Sequence, residues 1–166
     1  EVLFEMKNWI TENELKQTSA IPRKLIISMN KLSSVLMPKF NAPEWDGIGL
    51  FKVVYAVFDI FDLGSTFKIT NEKLFCFLTE VRDNYKKVPY YNWRHAVDSM
   101  QFVAYQILVS GLDAILSKFE IFAVLVATLC HDVDHDGFTN SMNEKAETPL
   151  SLLFKNQSVM ETHHCS

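Results

Sequence analysis

The sequence predicts an all-α domain, on three observations. Apolar residues recur at steps of three and four through most of the chain. Pro and Gly stand between these stretches or at their ends rather than in their middles. Very little of the chain shows the two-residue alternation of a half-buried strand.

Taken in order, "PRKLIISMNKLSSVL" (22–36) places Leu25, Ile26, Met29, Leu32 and Leu36 on one face and opens with Pro22 in its first turn. "NAPEWDGIG" (41–49) reads as a loop. "LFKVVYAVFDIFDLG" (50–64) is apolar nearly all round, so a buried helix stopped at Gly64 is expected. Its Val and Phe content keeps a strand open as the competing assignment, and its length argues for helix. Phe51, Tyr55, Phe58 and Phe61 recur there at helical spacing, as core residues do.

"TNEKLFCFLTEVRDNY" (70–85) begins at Thr70 or Asn71 as N-cap and lines up Leu74, Phe75, Leu78 and Val81. Pro89 marks the connection 86–93 as non-helical. Helices are then expected over about 93–110 and 117–135, separated by "GLDAILS". The chain turns polar after Gly137 until "PLSLLFKNQSVMETHH" begins one or two more.

With 166 residues, 48% hydrophobic and 13% aromatic, the chain can bury one substantial core. The formal charge is -4, and the basic residues are scattered rather than gathered in a stripe, which excludes a nucleic-acid polymer as partner. No stretch approaches the roughly 18–20 apolar residues of a transmembrane helix. Three widely spaced cysteines, Cys76, Cys130 and Cys165, read as reduced core thiols of a cytoplasmic protein. The chain starts at Glu1 without a readable targeting peptide, and "ETHHCS" carries no helix stop. An excised piece cut within a helix is therefore expected.

The chemistry gathers at "HDVDH" (131–135), directly after the apolar run 121–130. A helix apolar on every face is enclosed, so its continuation should arrive inside the molecule, where ionised groups must be paired, neutralised or bound to metal. On a regular helix His131 and Asp132 diverge by roughly 100°. They can aim at one point only near a helix end, which Gly137 is expected to supply. A second cluster, "YYNWRHA" (90–96), follows the proline break and supplies His95. Either cluster alone fits a solvated helix end. Together His95, His131 and Asp132 offer the nitrogen and oxygen donors that Zn²⁺ prefers. "DNYKK" (83–87) reads as a solvated helix end whose Lys86 and Lys87 raise the potential for an anionic substrate.

"VPYYNWRHAVD", then "LCHDVDHDGFTN", then "TPLSLLFKNQSVMETHH" resembles, in order and spacing, the catalytic domain of class I 3',5'-cyclic nucleotide phosphodiesterases. "FKITNEKLFCFLTEVRDNYKKVPY" resembles the stretch before it, and the resemblance runs from about residue 50 to the end. It implies the multi-helix HD-type catalytic fold, with 1–49 leading into the domain and 50–166 forming its N-terminal part. It also implies hydrolysis of cAMP or cGMP to 5'-monophosphates in signal transduction.

Two divalent metals are implied, Zn²⁺ at the first site and Mg²⁺ or Mn²⁺ at the second. His95, His131 and Asp132 would ligate the first, with Asp132 bridging to the second. His135 would contact the bridging water or the phosphate, and Asp134 would orient a ligand. Glu161 and His164 match positions that bond metal-bound water and the surroundings of the catalytic acid. Asn92 and Tyr90 line the same block, Tyr90 as packing or against substrate.

Two departures stand out. The family pattern "YHNxxHA" has a histidine, regarded as the general acid, where this chain has Tyr91. A phenol is a weaker proton donor than imidazolium, so Tyr91 is either a replacement acid or the mark of a silenced site that acts by binding. The family's later half, with an aspartate ligand, the purine-reading glutamine and a hydrophobic clamp, has no counterpart here, so a domain truncated at its C-terminus is expected. Faces meant for that half would be exposed. The resemblance leaves room for a homodimer and for membrane association through regions outside this chain.

Overall fold

The computed structural model describes residues 35, 37 and 39–166, and no strand occurs among them. The helix expected over 22–36 lies outside the described residues except for Val35, which is buried.

Helix α1 (Gly47–Ile60) forms the centre of the core. It starts three residues before the expected boundary because Asp46 caps it, its carboxylate accepting from the Gly49 amide at 2.6 Å. A side chain at Gly49 would run into that carboxylate and the Trp45 ring, so the cap closes only over glycine. The competing strand assignment is overturned, since the segment is helical and buried on nearly every face. The expected stop at Gly64 is also corrected. Helix α1 ends at Ile60, Asp62 takes a left-handed backbone (φ 54°), and Gly64 lies inside a separate short helix, α2 (Leu63–Thr66).

Helix α3 (Asn71–Asn84) begins at the expected cap, with the Thr70 hydroxyl accepting from the Lys73 amide, and buries Leu74, Phe75, Leu78 and Val81. Helix α4 (Trp93–Val109) packs against α1 and against α5 (Lys118–Cys130). Its buried face alternates small and large residues, Ala96, Val97, Met100, Ala104 and Ile107. A capping box between Ser117 and Glu120 opens α5.

Two expectations about α5 fail. It ends at Cys130, not near 135, and the residues that follow form a turn rather than its last coil. Only Ile121, Leu125 and Leu129 are buried, whereas Phe119 and Val124 are exposed, so α5 is not enclosed among the described residues. The polar stretch between Gly137 and Pro149, to which no element was assigned, holds one. A short helix, α6 (Asn140–Lys145), is capped by Thr139 and packs with α7 (Pro149–Leu153) and α8 (Val159–His164). Cys76 and Cys165 are exposed free thiols rather than core residues, and Cys130 is partly buried.

Phe51 is fully buried, its ring 5.5 Å from that of Trp93 and 5.9 Å from that of Phe75. It joins α1 to α3 and to the first turn of α4. Phe51→Ala should cost about 3–5 kcal/mol of stability, read as a lowered denaturation midpoint.

Candidate metal centre

The first turn of α4 is built by Asn92. Its Oδ1 accepts from the amides of Arg94 (3.0 Å) and His95 (3.3 Å), while its Nδ2 donates to the Val88 carbonyl at 2.8 Å. The cap therefore fixes where His95 leaves the helix. Arg94 anchors the same turn from outside by donating to the carbonyls of Ala42 and Trp45.

Opposite, the end of α5 is shaped by tertiary hydrogen bonds rather than by Gly137. The buried Tyr85 hydroxyl donates to the Leu129 carbonyl (3.0 Å) and accepts from the Asp132 amide (3.3 Å). The Asp134 amide donates to the Asn84 carbonyl at 3.1 Å, with Asp134 in a left-handed conformation (φ 63°). The C-terminus of α3 thus bends the chain after His131. That bend removes the helical divergence between His131 and Asp132.

The result is convergence on one carboxylate. Asp132 Oδ2 lies 3.3 Å from His95 Nε2 and 3.1 Å from His131 Nε2, and Oδ1 lies 3.7 Å from His164 Nε2. An ion holding nitrogen and oxygen at about 2.0–2.2 Å separates its donors by roughly 3–4 Å. The donor atoms of His95, His131 and Asp132 fall within 4.8 Å of one another, and so do those of Asp132, His135 and His164. His131 Nδ1 donates to the Thr128 carbonyl at 2.7 Å. Its Nε2 in the neutral ring therefore presents a lone pair to a carboxylate oxygen, an arrangement that only a proton or a cation relieves. The residues present fit a divalent cation.

Around this centre, the Tyr91 ring stacks on His135 with centroids 3.8 Å apart and planes at 14°. Tyr90, largely exposed, lies against Tyr91 and over the His95 ring at 4.6 Å. Asp134 does not bond to a metal-facing histidine. It pairs with Lys86 (2.8 Å) and His163 (3.0 Å), tying α8 to the turn. The solvated end expected at "DNYKK" is therefore partly committed, since Lys86 also donates to the Asp134 carbonyl. Glu161, exposed, accepts from Asn140 Nδ2 at 2.8 Å.

Tyr85, His163 and Asn140 escaped the sequence reading. The adjacent histidines of "METHH" were the available signal for His163; Tyr85 and Asn140 carried none.

Burial, the largest influence, pushes His95 and His135 below the ordinary histidine range, and Asp132 partly opposes it in both. Lys86 first, and His163 after it, holds Asp134 below the usual carboxylate range. Each depressed histidine binds its proton less readily folded than unfolded. The stability it contributes is therefore complete above about pH 6.5 and is lost as pH falls from there through the ring's lower folded value. The metal-free chain should show a lower denaturant midpoint at pH 5.5 than at pH 8. An unchanged midpoint would remove this account of the two rings.

The sequence profile of the 3'5'-cyclic nucleotide phosphodiesterase family matches residues 90–166. The chain is 37% identical over 113 residues to a cGMP-specific 3',5'-cyclic phosphodiesterase of Drosophila melanogaster, covering 68% of this chain and 10% of that protein. It is 32% identical over 154 residues to the dual 3',5'-cyclic-AMP and -GMP phosphodiesterase 11A of Takifugu rubripes, covering 93% and 16%. The crystal structure of the phosphodiesterase domain of the RhoPDE fusion protein from the choanoflagellate Salpingoeca rosetta superposes with a TM-score of 0.70 at 32% identity. That match covers 85% of this chain and 43% of that domain. The chain thus spans less than half the length of each of these relatives. No helix among the described residues is long and apolar enough to cross a membrane.

Proposed function

Because this chain belongs to the 3',5'-cyclic nucleotide phosphodiesterase family, we propose that it forms the metal-binding part of a site that hydrolyses cAMP or cGMP to the 5'-monophosphate. The observation that carries this reading is the meeting of His95, in the first turn of α4, and His131, just past the end of α5, at the single oxygen Asp132 Oδ2. His95, His131 and Asp132 would hold Zn²⁺, and the free edge of Asp132 would face Mg²⁺ or Mn²⁺. Such ions lower the pKa of bound water and neutralise charge on a phosphoryl group.

The chain's own groups supply the rest. His135 Nδ1 accepts from the Gly137 amide at 2.9 Å, so the neutral ring carries its proton on Nε2 and donates it to a phosphate oxygen or to water. Water oxygen adds to phosphorus and releases a proton to solvent, the bond from phosphorus to the 3' oxygen breaks, and that oxygen takes a proton. Tyr91, stacked on His135, is the donor. An alkoxide is far more basic than a phenolate, so the transfer is downhill. Asp134, held by Lys86 and His163, and Asn92, as cap, fix the backbone that carries the ligands. Tyr90 shields His95, and Glu161 in α8 accepts from Asn140 at the start of α6, holding the two helices together. Free cysteines throughout the described residues support a reducing, cytoplasmic setting. The exposed face of α5 suits burial against further helices or a second copy.

The names of the relatives make cGMP the first substrate to test, with cAMP beside it. The full-length protein should convert one or both to 5'-monophosphate with Zn²⁺ and Mg²⁺ present and stop when a chelator is added. Turnover indifferent to the chelator would contradict the metal site. Tyr91 in place of histidine favours a second reading, a silenced domain that binds nucleotide or a partner. Binding without turnover would establish it.

A further inference from the structure

Two side chains on one face of α4 are spent on backbone carbonyls that precede α1. Arg94 Nη1 donates to the Ala42 carbonyl and, at 2.7 Å, to that of Trp45. Gln101 Nε2 donates to the Val35 carbonyl and, at 3.3 Å, to that of Met37. Each nitrogen carries two hydrogens, and each uses both. On a helix the two positions share a face, about two turns and roughly 10 Å apart. The chain before α1 therefore runs antiparallel along α4 and is clamped to it at two points.

The clamps hold different things. Gln101 is buried in the middle of α4. Arg94 lies in the first turn, beside His95, where the backbone amides have no partner within the helix. The carbonyls it grips are themselves fixed, since Ala42 is buried and Asp46, next to Trp45, caps α1. Arg94 thus ties the first turn of α4 to the start of the central helix. The metal centre is assembled from two halves held independently. Asn84 and Tyr85, at the end of α3, hold the turn that carries Asp132. The Asn92 cap and the Arg94 anchor hold the turn that carries His95. The 3.3 Å approach of His95 Nε2 to Asp132 Oδ2 requires the two halves in register.

We infer that Arg94 is a positioning residue for the first cation. Through Ala42 and Trp45 it sets where His95 stands relative to Asp132, and so the affinity of the ion these two would hold. It touches neither ion nor substrate. This rests on the metal-site reading above and extends it to the chain before α1, which becomes part of what builds the site.

The test is titration of the metal-free full-length protein with Co²⁺, read by calorimetry and by visible absorption of the bound ion. The ion concerned is the one that His131→Ala removes. Arg94→Met keeps the aliphatic stem and loses both hydrogen bonds. It should weaken that ion by about tenfold or more, the loss that follows when a group orienting a ligand is removed, and shift its absorption band. Arg94→Lys returns a nitrogen with several hydrogens and should restore most of the affinity. Gln101→Leu breaks the other clamp and should lower the denaturation midpoint of the metal-free chain, with the ion's affinity and band unchanged. Circular dichroism without metal shows which variants fold. Arg94→Gln, a milder change that should move the ion in the same direction, decides the matter if Arg94→Met does not fold. Unchanged affinity and band in the folded Arg94 variants, or an equal loss in Gln101→Leu, would overturn the assignment and spare the metal-site reading. No ion dependent on His131 in the unaltered protein would overturn both.

Discussion

Asp132→Ala should lower turnover of the cyclic nucleotide by about 10³-fold or more. The figure follows from the several kcal/mol that divalent cations contribute to such a reaction, at 1.36 kcal/mol per tenfold in rate. It exceeds the loss expected from either His95→Ala or His131→Ala because Asp132 alone meets both of the other residues proposed to hold the first cation. Its Oδ2 meets His95 and His131, and its Oδ1 faces His164. The fold should survive, since the Asp132 amide, not its side chain, makes the bond to Tyr85. A steady-state assay beside a thermal melt separates the two effects. Turnover within tenfold of the unaltered protein would show that the carboxylate is not at the reacting centre.

Tyr91→His should move activity the other way. A positioned general acid contributes on the order of 10² to 10⁴ in rate, and a phenol supplies only part of that. Turnover should therefore rise by about 10²-fold, with Tyr91→Phe falling below the unaltered protein. The variant's rate should also decline as pH rises past about 6.5, where imidazole loses its proton, a limb the unaltered chain lacks. The replacement is sterically mild, because an imidazole can lie against His135 as the phenol ring does. If Tyr91→His stays as slow as Tyr91→Phe, the proton donor lies elsewhere.

The all-α class, the cap at Thr70 and the buried face of α3 could be read from local pattern, since each depends on residues within a turn or two of one another. The three residues that meet at Asp132 Oδ2 were also named in advance. How they meet was not legible. The bend after His131 is made by Tyr85 and Asn84, almost fifty residues earlier in the chain, and no local pattern announces it. Separations of 48 and 29 residues hid the clasp of Asp134 by Lys86 and His163. Helix α5 misled for another reason. Its apolar composition signalled enclosure, but only one stripe of it finds neighbours among the described residues. The helix at 140–145 was missed because its six residues, "NSMNEK", bury almost nothing, and a Thr cap with tertiary contacts holds it in place of periodicity.

The most direct measurement is anomalous diffraction at the zinc edge from crystals of the full-length protein grown with Zn²⁺. A peak should lie about 2.0–2.2 Å from His95 Nε2, His131 Nε2 and Asp132 Oδ2 together. Density without such a peak, with His95 turned away from residues 131 and 132, would contradict the claim that these groups gather around a cation.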